Sequence, residues 1–222
     1  MPTDGTVPPG RVPAPSSAVT GRAAAARGPM PVHYHQFHVS DLEGSLGPEL
    51  PSHTNGLVGV EDGVAHVLTG IHTGTVDLEV TLHRHEPAPG EGPWEDIVEI
   101  PAHSVSGELA VHALMVDLEE EFPTLASAGP GDYRIRVHAR GRDTAIDLAP
   151  DEITEWYLLQ VWPAAPQPPR ALLTTSGHGA VQRASAADAP APRATVSGAG
   201  SQDDPAGIRA RAIRPRRAEG DA

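Results

Sequence analysis

Apolar and polar residues alternate along much of the chain between residues 32 and 162, which is typical of strands with one buried face. Residues 57–70, LVGVEDGVAHVLTG, contain two such runs separated by Asp62-Gly63, a dipeptide that predicts a two-residue hairpin turn. In the following segment, GTVDLEVTLHR, the predicted buried face carries Val76, Leu78, Val80 and Leu82.

The clearest strand is predicted for residues 131–140. One of its faces carries Tyr133, Ile135, Val137 and Ala139, and the other carries Arg134, Arg136, His138 and Arg140. A last strand, EWYLLQVWP, ends at Pro163. About eight short strands joined by turns, with no long helix, predict an all-β fold, either an antiparallel β-sandwich or a partly open barrel.

The two ends of the chain differ in composition from this region. Residues 1–30 contain six prolines and a run of alanines, and residues 166–222 are mostly Ala, Pro, Ser, Gly and Arg. Neither end carries enough apolar surface to offset the entropy cost of ordering. The sequence therefore predicts a disordered N-terminal segment (1–30), an acidic β-domain (31–165) and a disordered C-terminal tail (166–222).

The expected cellular location follows from several absences in the sequence. The chain has no cysteine, so neither a disulfide nor a thiolate metal ligand is available. The stretch RAAAARG near the start is too short and too weakly apolar for a secretion signal. No apolar run approaches the length of a membrane helix. These features predict a cytoplasmic protein with no membrane association.

Negative charge is concentrated in the β-domain. Residues 31–165 hold 23 Asp and Glu against 5 Arg, a balance of −18, whereas the whole chain carries −13. Phosphate contacts need Lys and Arg, so direct nucleic-acid binding by this domain is disfavoured. A basic protein partner is favoured instead, because opposite charges speed and direct association. The alternative is that the acids only keep the domain in solution.

The histidines raise the question of a metal site. In the segment VHYHQFHVS, a continuous strand would place His33 and His35 on one face, where two imidazoles can bind one metal. His83 and His85 form a second such pair. A cupin-like site would have a glutamate three or four residues after its His-x-His, but Glu86 follows His85 directly. A metalloprotein that uses these four histidines is the alternative hypothesis, disfavoured by this spacing.

Other catalytic patterns are missing from the sequence. No serine occupies a nucleophile elbow, and no glycine-rich loop precedes a predicted helix. The carboxylates are too numerous to single out an acid–base pair, and the run DLEEEF is typical of a solvated turn. We therefore predict that the protein is not an enzyme and has no cofactor.

Three short motifs lie in the first, penultimate and last predicted strands. They are Tyr34-His35-Gln36-Phe37, Gly131-Asp132-Tyr133 and Tyr157-Leu158-Leu159. In content and order these motifs resemble the competence protein J family, whose members inhibit a DNA-entry nuclease. The resemblance spans roughly residues 32–162 and implies a small non-catalytic protein that binds and silences a nuclease. It also implies a structural role for residues 34–37, with Tyr34 or His35 anchoring a neighbouring loop.

The favoured hypothesis is an inhibitor or immunity-type protein whose acidic surface competes with nucleic acid for a nuclease. The best candidate contact is a turn with four acids in five positions, Asp117, Glu119, Glu120 and Glu121. The arginine stripe of residues 134–140 has a simpler explanation, which is pairing with acids on adjacent strands. A generic protein-binding β-module is the remaining alternative, and the oligomeric state is left open.

Overall fold

The computed structural model describes residues 22–47, 54–116, 118 and 122–188, all within the first of the chain's two units, Met1–Ala189. These residues form ten strands and one helix. The strands are β1 (Arg22–His33), β2 (Gln36–Ser40), β3 (Val58–Glu61), β4 (Val64–Leu68), β5 (Thr73–His83), β6 (Asp96–Ser104), β7 (Ala110–His112), β8 (Gly131–Arg140), β9 (Trp156–Pro163) and β10 (Arg170–Thr174). The helix, α1 (Gly177–Asp188), ends the described chain, and no helix in these residues is long and apolar enough to cross a membrane.

All ten strands join one hydrogen-bonded sheet in the order β10-β6-β8-β9-β5-β1-β2-β4-β3, with β7 paired to β2. Neighbouring strands are antiparallel except for β5 and β9, which run parallel. This parallel pair arises because the chain passes through β6, β7 and β8 before it returns beside β5. The main prediction, a fold dominated by strands, is confirmed, but the sheet is mixed and does not divide into two antiparallel layers.

The sheet curls into a half-barrel around the core. Val58 of β3 and Val98 of β6 belong to one buried apolar cluster, although seven strand spacings separate these strands in the sheet order. In a flat sheet that separation would be roughly 34 Å. Leu46 connects the β3–β4 turn to β6, because its N–H donates to Gly63 O at 3.0 Å and its carbonyl accepts from His103 N at 2.6 Å.

Two local predictions agree with the structure. Asp62 and Gly63 form the turn between β3 and β4, with φ of 51° and 78°, as the hairpin prediction requires. Along β5 the predicted apolar face is buried. The opposite face is exposed only in part, since Thr81 and His83 are buried as well. Something must therefore cover the outer face of the sheet as well as the inner one.

The arginine stripe of β8 forms part of this second buried layer. Arg136 Nε donates to Glu99 Oε1 at 2.7 Å, and Arg134 Nε donates to Glu99 Oε2 at 3.2 Å, with all three side chains buried. Other nitrogens of the same two guanidinium groups donate to the backbone carbonyls of Pro87, Gln167 and Pro168. Burial alone would raise the pKa of Glu99, but the hydrogen bonds and charges of its arginines hold it below the ordinary value. The arginines thus fix two loops onto the outer face of the sheet.

His138 continues the same face of β8 and is also buried. Its Nδ1 lies 3.1 Å from Leu158 O, and its Nε2 accepts a hydrogen bond from Gly90 N at 3.0 Å. A neutral imidazole with its proton on Nδ1 satisfies both contacts, whereas an imidazolium has no acceptor to offer Gly90. Burial lowers the pKa of His138 to about 4. This histidine is therefore a structural group that holds the loop before β6.

The folded region is larger than the composition indicates. β1 begins within the segment predicted to be disordered, pairs with β5 over eleven residues and buries Met30. β10 pairs with β6, and α1 follows it. The prediction of disorder is therefore wrong for residues 22–30 and 170–188. The remaining parts of the predicted tails, residues 1–21 and 189–222, lie outside the described residues.

Polar contacts explain why a segment with few large apolar residues forms α1. Ser176 caps the helix, since its Oγ accepts from the N–H three residues later at 3.0 Å. The Asp143 carboxylate accepts from the first two N–H groups of the helix at 2.7 and 2.6 Å. Ser176 also donates to Asp96, which pairs with Arg142 at 2.7 Å in a fully buried site. These contacts join residues far apart in sequence, so the composition could not predict them.

We expect Glu99→Gln to destabilise the protein strongly. The change keeps the size of the side chain but leaves two buried arginines without a carboxylate, and breaking a buried pair costs about 3–5 kcal/mol. In urea unfolding, the midpoint should fall while the m-value stays constant. The control is Glu91→Gln at an exposed position, which should change stability by less than about 0.5 kcal/mol. If Glu99→Gln lowers the free energy of unfolding as little as Glu91→Gln does, the buried pair contributes no stability.

Acid should destabilise the protein through the buried His138. Because the pKa of His138 is about 4 when folded and about 6.5 when unfolded, the unfolded chain binds the proton first. The contribution of His138 to stability is complete above about pH 6.5 and is lost as the pH falls towards 4, by about 3 kcal/mol. Between these pH values, the free energy of unfolding of the His138→Asn variant should depend less on pH than that of the unmutated chain. The control variant, His85→Asn at an exposed position, should show the same pH dependence as the unmutated chain. An unchanged pH dependence in the first variant would contradict this assignment.

Trimming the chain to residues 30–166 should weaken folding. This fragment lacks most of β1, all of β10 and α1, and the two carbonyls that accept hydrogen bonds from Arg134. Calorimetry should show a melting temperature at least 5–10 °C lower than that of residues 22–188, since a loss of a few kcal/mol shifts Tm by that amount. Equal melting temperatures would mean that both ends are dispensable for stability.

Candidate functional site

The segment VHYHQFHVS is a hairpin and not a continuous strand. β1 ends at His33, which pairs with Gln36 at the start of β2, and Tyr34 and His35 form the turn with φ of 54° and 63°. Two left-handed residues in a two-residue turn fit the type I′ geometry. The prediction that His33 and His35 share one strand face is therefore wrong. The chain reverses here because β1 pairs with β5, whereas β2 pairs with β4 and β7.

The Tyr34–His35 turn meets two other loops. His35 N donates to His72 O at 3.0 Å, and His35 O accepts from Thr69 N at 2.8 Å. The loop of residues 69–72 is hydrogen-bonded in turn to the loop of residues 145–149, since His72 N donates to Leu148 O at 2.8 Å and Asp147 N donates to Gly70 O at 2.9 Å. We call this junction of residues 34–35, 69–72 and 145–149 the hairpin tip.

Ring contacts and one close polar contact complete the hairpin tip. His72 makes edge-to-face contacts with Tyr34, at 5.6 Å between ring centroids, and with His35, at 4.8 Å. His35 Nε2 lies 3.3 Å from a carboxylate oxygen of Asp147, which also has a positive φ of 59°. His35 therefore joins all three loops, in agreement with the anchoring role that the sequence resemblance implied.

A buried carboxylate holds the middle loop in place. Glu155 accepts hydrogen bonds from Ile71 N at 2.6 Å, from Gly70 N at 3.1 Å and from the Tyr157 hydroxyl at 2.6 Å. Burial raises the pKa of Glu155 above its ordinary value despite these donors. A Cβ at Gly70 would collide with the carbonyl of Arg142, so glycine is required where the loop passes this chain. The geometry of the hairpin tip is therefore set from the core.

The structure separates the histidines of the metalloprotein hypothesis. In the ladder between β1 and β5, His33 pairs with Thr73 and Arg22 pairs with His83. Ten residues along β5 correspond to roughly 33 Å, so the two His-x-His pairs lie at opposite ends of these strands. In the described part of the chain, no three His, Asp or Glu side chains are grouped to hold a metal. A cupin-like site built from His33, His35, His83 and His85 is thus contradicted by the topology.

A different histidine row was not predicted. His38 of β2 lies opposite His66 of β4 and opposite His112 of β7, which places the three side chains across adjacent strands. The rings of His38 and His66 are 4.6 Å apart. Burial, followed by the charges of the other two histidines, lowers the pKa of His38 to about 4. Only strand pairing brings these residues together, because they are 28 and 46 positions apart in sequence.

The other residues of the family motifs have structural contacts. Phe37 packs edge-to-face on Tyr157, with ring centroids 5.3 Å apart, in the core. The Tyr133 hydroxyl donates to Gly129 O at 2.6 Å and accepts from Ala128 N at 3.0 Å, which closes the turn before β8. Gly131 begins β8, and Asp132 forms a surface pair with His103 at 2.7 Å. Gln36 contacts His66 at 3.2 Å.

The acids predicted as the partner contact, Asp117, Glu119, Glu120 and Glu121, lie outside the described residues. Their two described neighbours, Leu118 and Phe122, are half-buried and pack against the core cluster.

A small cleft on the outer face of the sheet is lined by aromatic and charged side chains. It has a volume of 220 Å³ and is lined in part by Trp94 and Trp156, below the roughly 300–1,000 Å³ of small-molecule pockets. Its two arginines are already engaged. Arg27 forms a bidentate pair with Asp77, and Arg140 lies 4.0 Å from the ring centroid of Trp156.

The folded chain exposes acids more than it exposes arginines. Three of the five arginines between residues 31 and 165 are buried, namely Arg134, Arg136 and Arg142. Of the eighteen acids that the structure describes in the same region, four are buried, namely Asp41, Asp96, Glu99 and Glu155. Folding therefore removes positive charge from the surface in larger proportion than negative charge.

Comparison with known proteins gives two similar structures. No family model and no curated protein sequence matches the chain. ComJ from Bacillus subtilis, an inhibitor of the DNA degrading activity of NucA, aligns at 15% identity with a TM-score of 0.44, over 64% of this chain and 97% of that one. The product of crocagin biosynthetic gene J aligns at 14% identity with a TM-score of 0.42, over 64% and 98% respectively. At these values neither structure assigns the chain to a family.

Proposed function

We propose that this chain is a non-catalytic inhibitor or immunity-type protein that binds a basic, DNA-degrading nuclease through its acidic surface. The observation that supports this most directly is the excess of exposed acids over exposed arginines in this domain, three of whose five arginines are buried. A surface that combines exposed carboxylates with few free cations attracts a basic partner and repels nucleic acid. The proposal that the partner is a nuclease rests on the sequence motifs of residues 34–37, 131–133 and 157–159.

Charge gives such a protein a direct way to inhibit. A nuclease attracts the phosphate backbone with cationic groups around its active site, and a carboxylate-rich surface can occupy the same groups. The two ligands would then exclude each other. Inhibition by this route needs no catalytic residue on the inhibitor, and every buried titratable group described above has a structural contact instead.

The candidate contact includes the acidic segment with Asp117, Glu119, Glu120 and Glu121. Four carboxylates in five positions provide a dense negative patch that complements a cationic surface. Leu118 and Phe122, the described residues of this stretch, pack against the core cluster.

The proposal is tested with a purified basic, DNA-degrading nuclease from the organism that encodes this chain. We expect the purified chain to inhibit that nuclease, with an association rate that falls as salt rises from about 50 to 300 mM, because exposed charges are screened beyond about 10 Å at roughly 0.1 M salt. Converting the four acids to Asn and Gln should slow association about tenfold at low salt.

The matched control neutralises four exposed acids elsewhere, Glu43, Glu61, Glu91 and Glu108, with the same change in net charge. It should slow association less than the first variant does. Equal rates for the two variants would place the contact outside residues 117–121. Absence of inhibition by the unmutated chain at every salt concentration would refute the proposed function.

A further inference from the structure

We infer that the hairpin tip is the apolar anchor of the partner interface, and that it inserts into an apolar pocket bordered by Arg or Lys on the basic protein. This inference rests on the proposed function and names the surface by which it operates. It is drawn from three independent features of the hairpin tip, which are its exposed apolar side chains, its fixed backbone and its acidic rim.

Large apolar side chains are exposed at the hairpin tip. Tyr34 is 60% exposed, Leu148 is 59% exposed and Ile146 is 47% exposed. They surround His72, which contacts the Tyr34 ring and donates to the Leu148 carbonyl. Tyrosine is among the residues that contribute most to protein–protein binding, and an exposed apolar group with a polar rim is typical of an interface centre.

The backbone of the hairpin tip is fixed in an unusual conformation. Among the described residues, four that are not glycine have a positive φ, and three of them lie here, namely Tyr34, His35 and Asp147. Such conformations persist only where the surrounding structure imposes them, and they cluster at functional sites. Here the middle loop imposes them, and Glu155 holds that loop from the core. A surface already fixed in its binding conformation pays little entropy when a partner binds.

The rim of the hairpin tip determines which partner fits. Asp147, Asp151 and Glu152 are exposed next to the apolar residues. The adjacent Arg142 is buried against Asp96 and does not neutralise them. A second copy of this chain would bring the same acids face to face, and an anionic membrane would repel them. A basic protein surface with an apolar pocket satisfies both the charge and the exposed side chains.

The apolar part is tested with the double variant Tyr34→Asn and Leu148→Ser, measured against the same nuclease. Asparagine tolerates the left-handed conformation at position 34, so the turn is kept while the aromatic ring is removed. We expect the dissociation rate to rise at least tenfold. The matched control is Leu42→Asn with Val181→Ser, two positions that are each 64% exposed and lie outside the hairpin tip. It should bind like the unmutated chain.

The rim is tested separately with Asp147→Asn, Asp151→Asn and Glu152→Gln together. We expect the association rate at low salt to fall about threefold to tenfold, with a dissociation rate changed less than twofold. The control, with the same change in net charge, is Glu61→Gln, Glu91→Gln and Glu108→Gln, which neutralises three exposed acids elsewhere. All variants are first compared by thermal melting, so that a binding loss in a chain with unchanged melting is assigned to the surface.

The outcomes separate the two proposals. If the unmutated chain binds the nuclease and the hairpin-tip variants bind as tightly as their controls, the anchor is refuted while the proposed function stands. If the controls lose as much affinity as the hairpin-tip variants, the contact is not specific to the hairpin tip and the anchor is again refuted. If the unmutated chain does not bind the nuclease, both proposals fall together.

Discussion

The pairing of Glu99 with Arg134 and Arg136 is the interaction on which the rest of the structure depends. A curled sheet with a single apolar core leaves its convex face to solvent, yet here that face is covered as well. The cover consists of loops with few apolar residues, and these are held by guanidinium groups that donate to their backbone carbonyls. One carboxylate makes this arrangement possible, because two buried cations without it would be strongly destabilising.

The same arrangement has a consequence for function. Each arginine that is used to fix a loop is a positive charge withdrawn from the surface, and Arg142 is withdrawn in the same way by its pairing with Asp96. Each of these buried arginines is paired with a buried acid, so the exposed surface keeps the acidic character given by the composition, with few free cations.

The hairpin tip shows how the core controls a surface feature. Glu155 is buried and has no access to a partner, but it holds the loop that fixes His35 and, through His35, the turn with Tyr34. The motif residues therefore divide into two roles. Phe37 and Tyr133 stabilise the domain, whereas Tyr34 is presented outward from a strained turn. A strained and exposed aromatic residue contributes little to folding, which is why we assign it to binding.

The sequence by itself determined the features that depend on neighbouring residues. Alternation identified β5 and β8, the Asp62-Gly63 dipeptide identified one hairpin, and charge counting identified an acidic domain. It also suggested that the arginine stripe pairs with acids on an adjacent strand, which holds for Arg134 and Arg136 with Glu99, whereas Arg140 lies over the Trp156 ring. Each of these conclusions rests on a periodicity or a local preference that the chain carries in a few consecutive letters.

The tertiary structure decided everything that depends on which strands meet. Tyr34-His35 has no glycine and reads as part of a strand, but the pairing of β1 with β5 and of β2 with β4 forces a turn there. The histidine row, the parallel pairing of β5 with β9 and the capping of α1 by Asp143 all join residues distant in sequence. Composition also underestimated the folded region, because β1 and α1 are stabilised by ladder and capping hydrogen bonds that need a partner elsewhere in the chain.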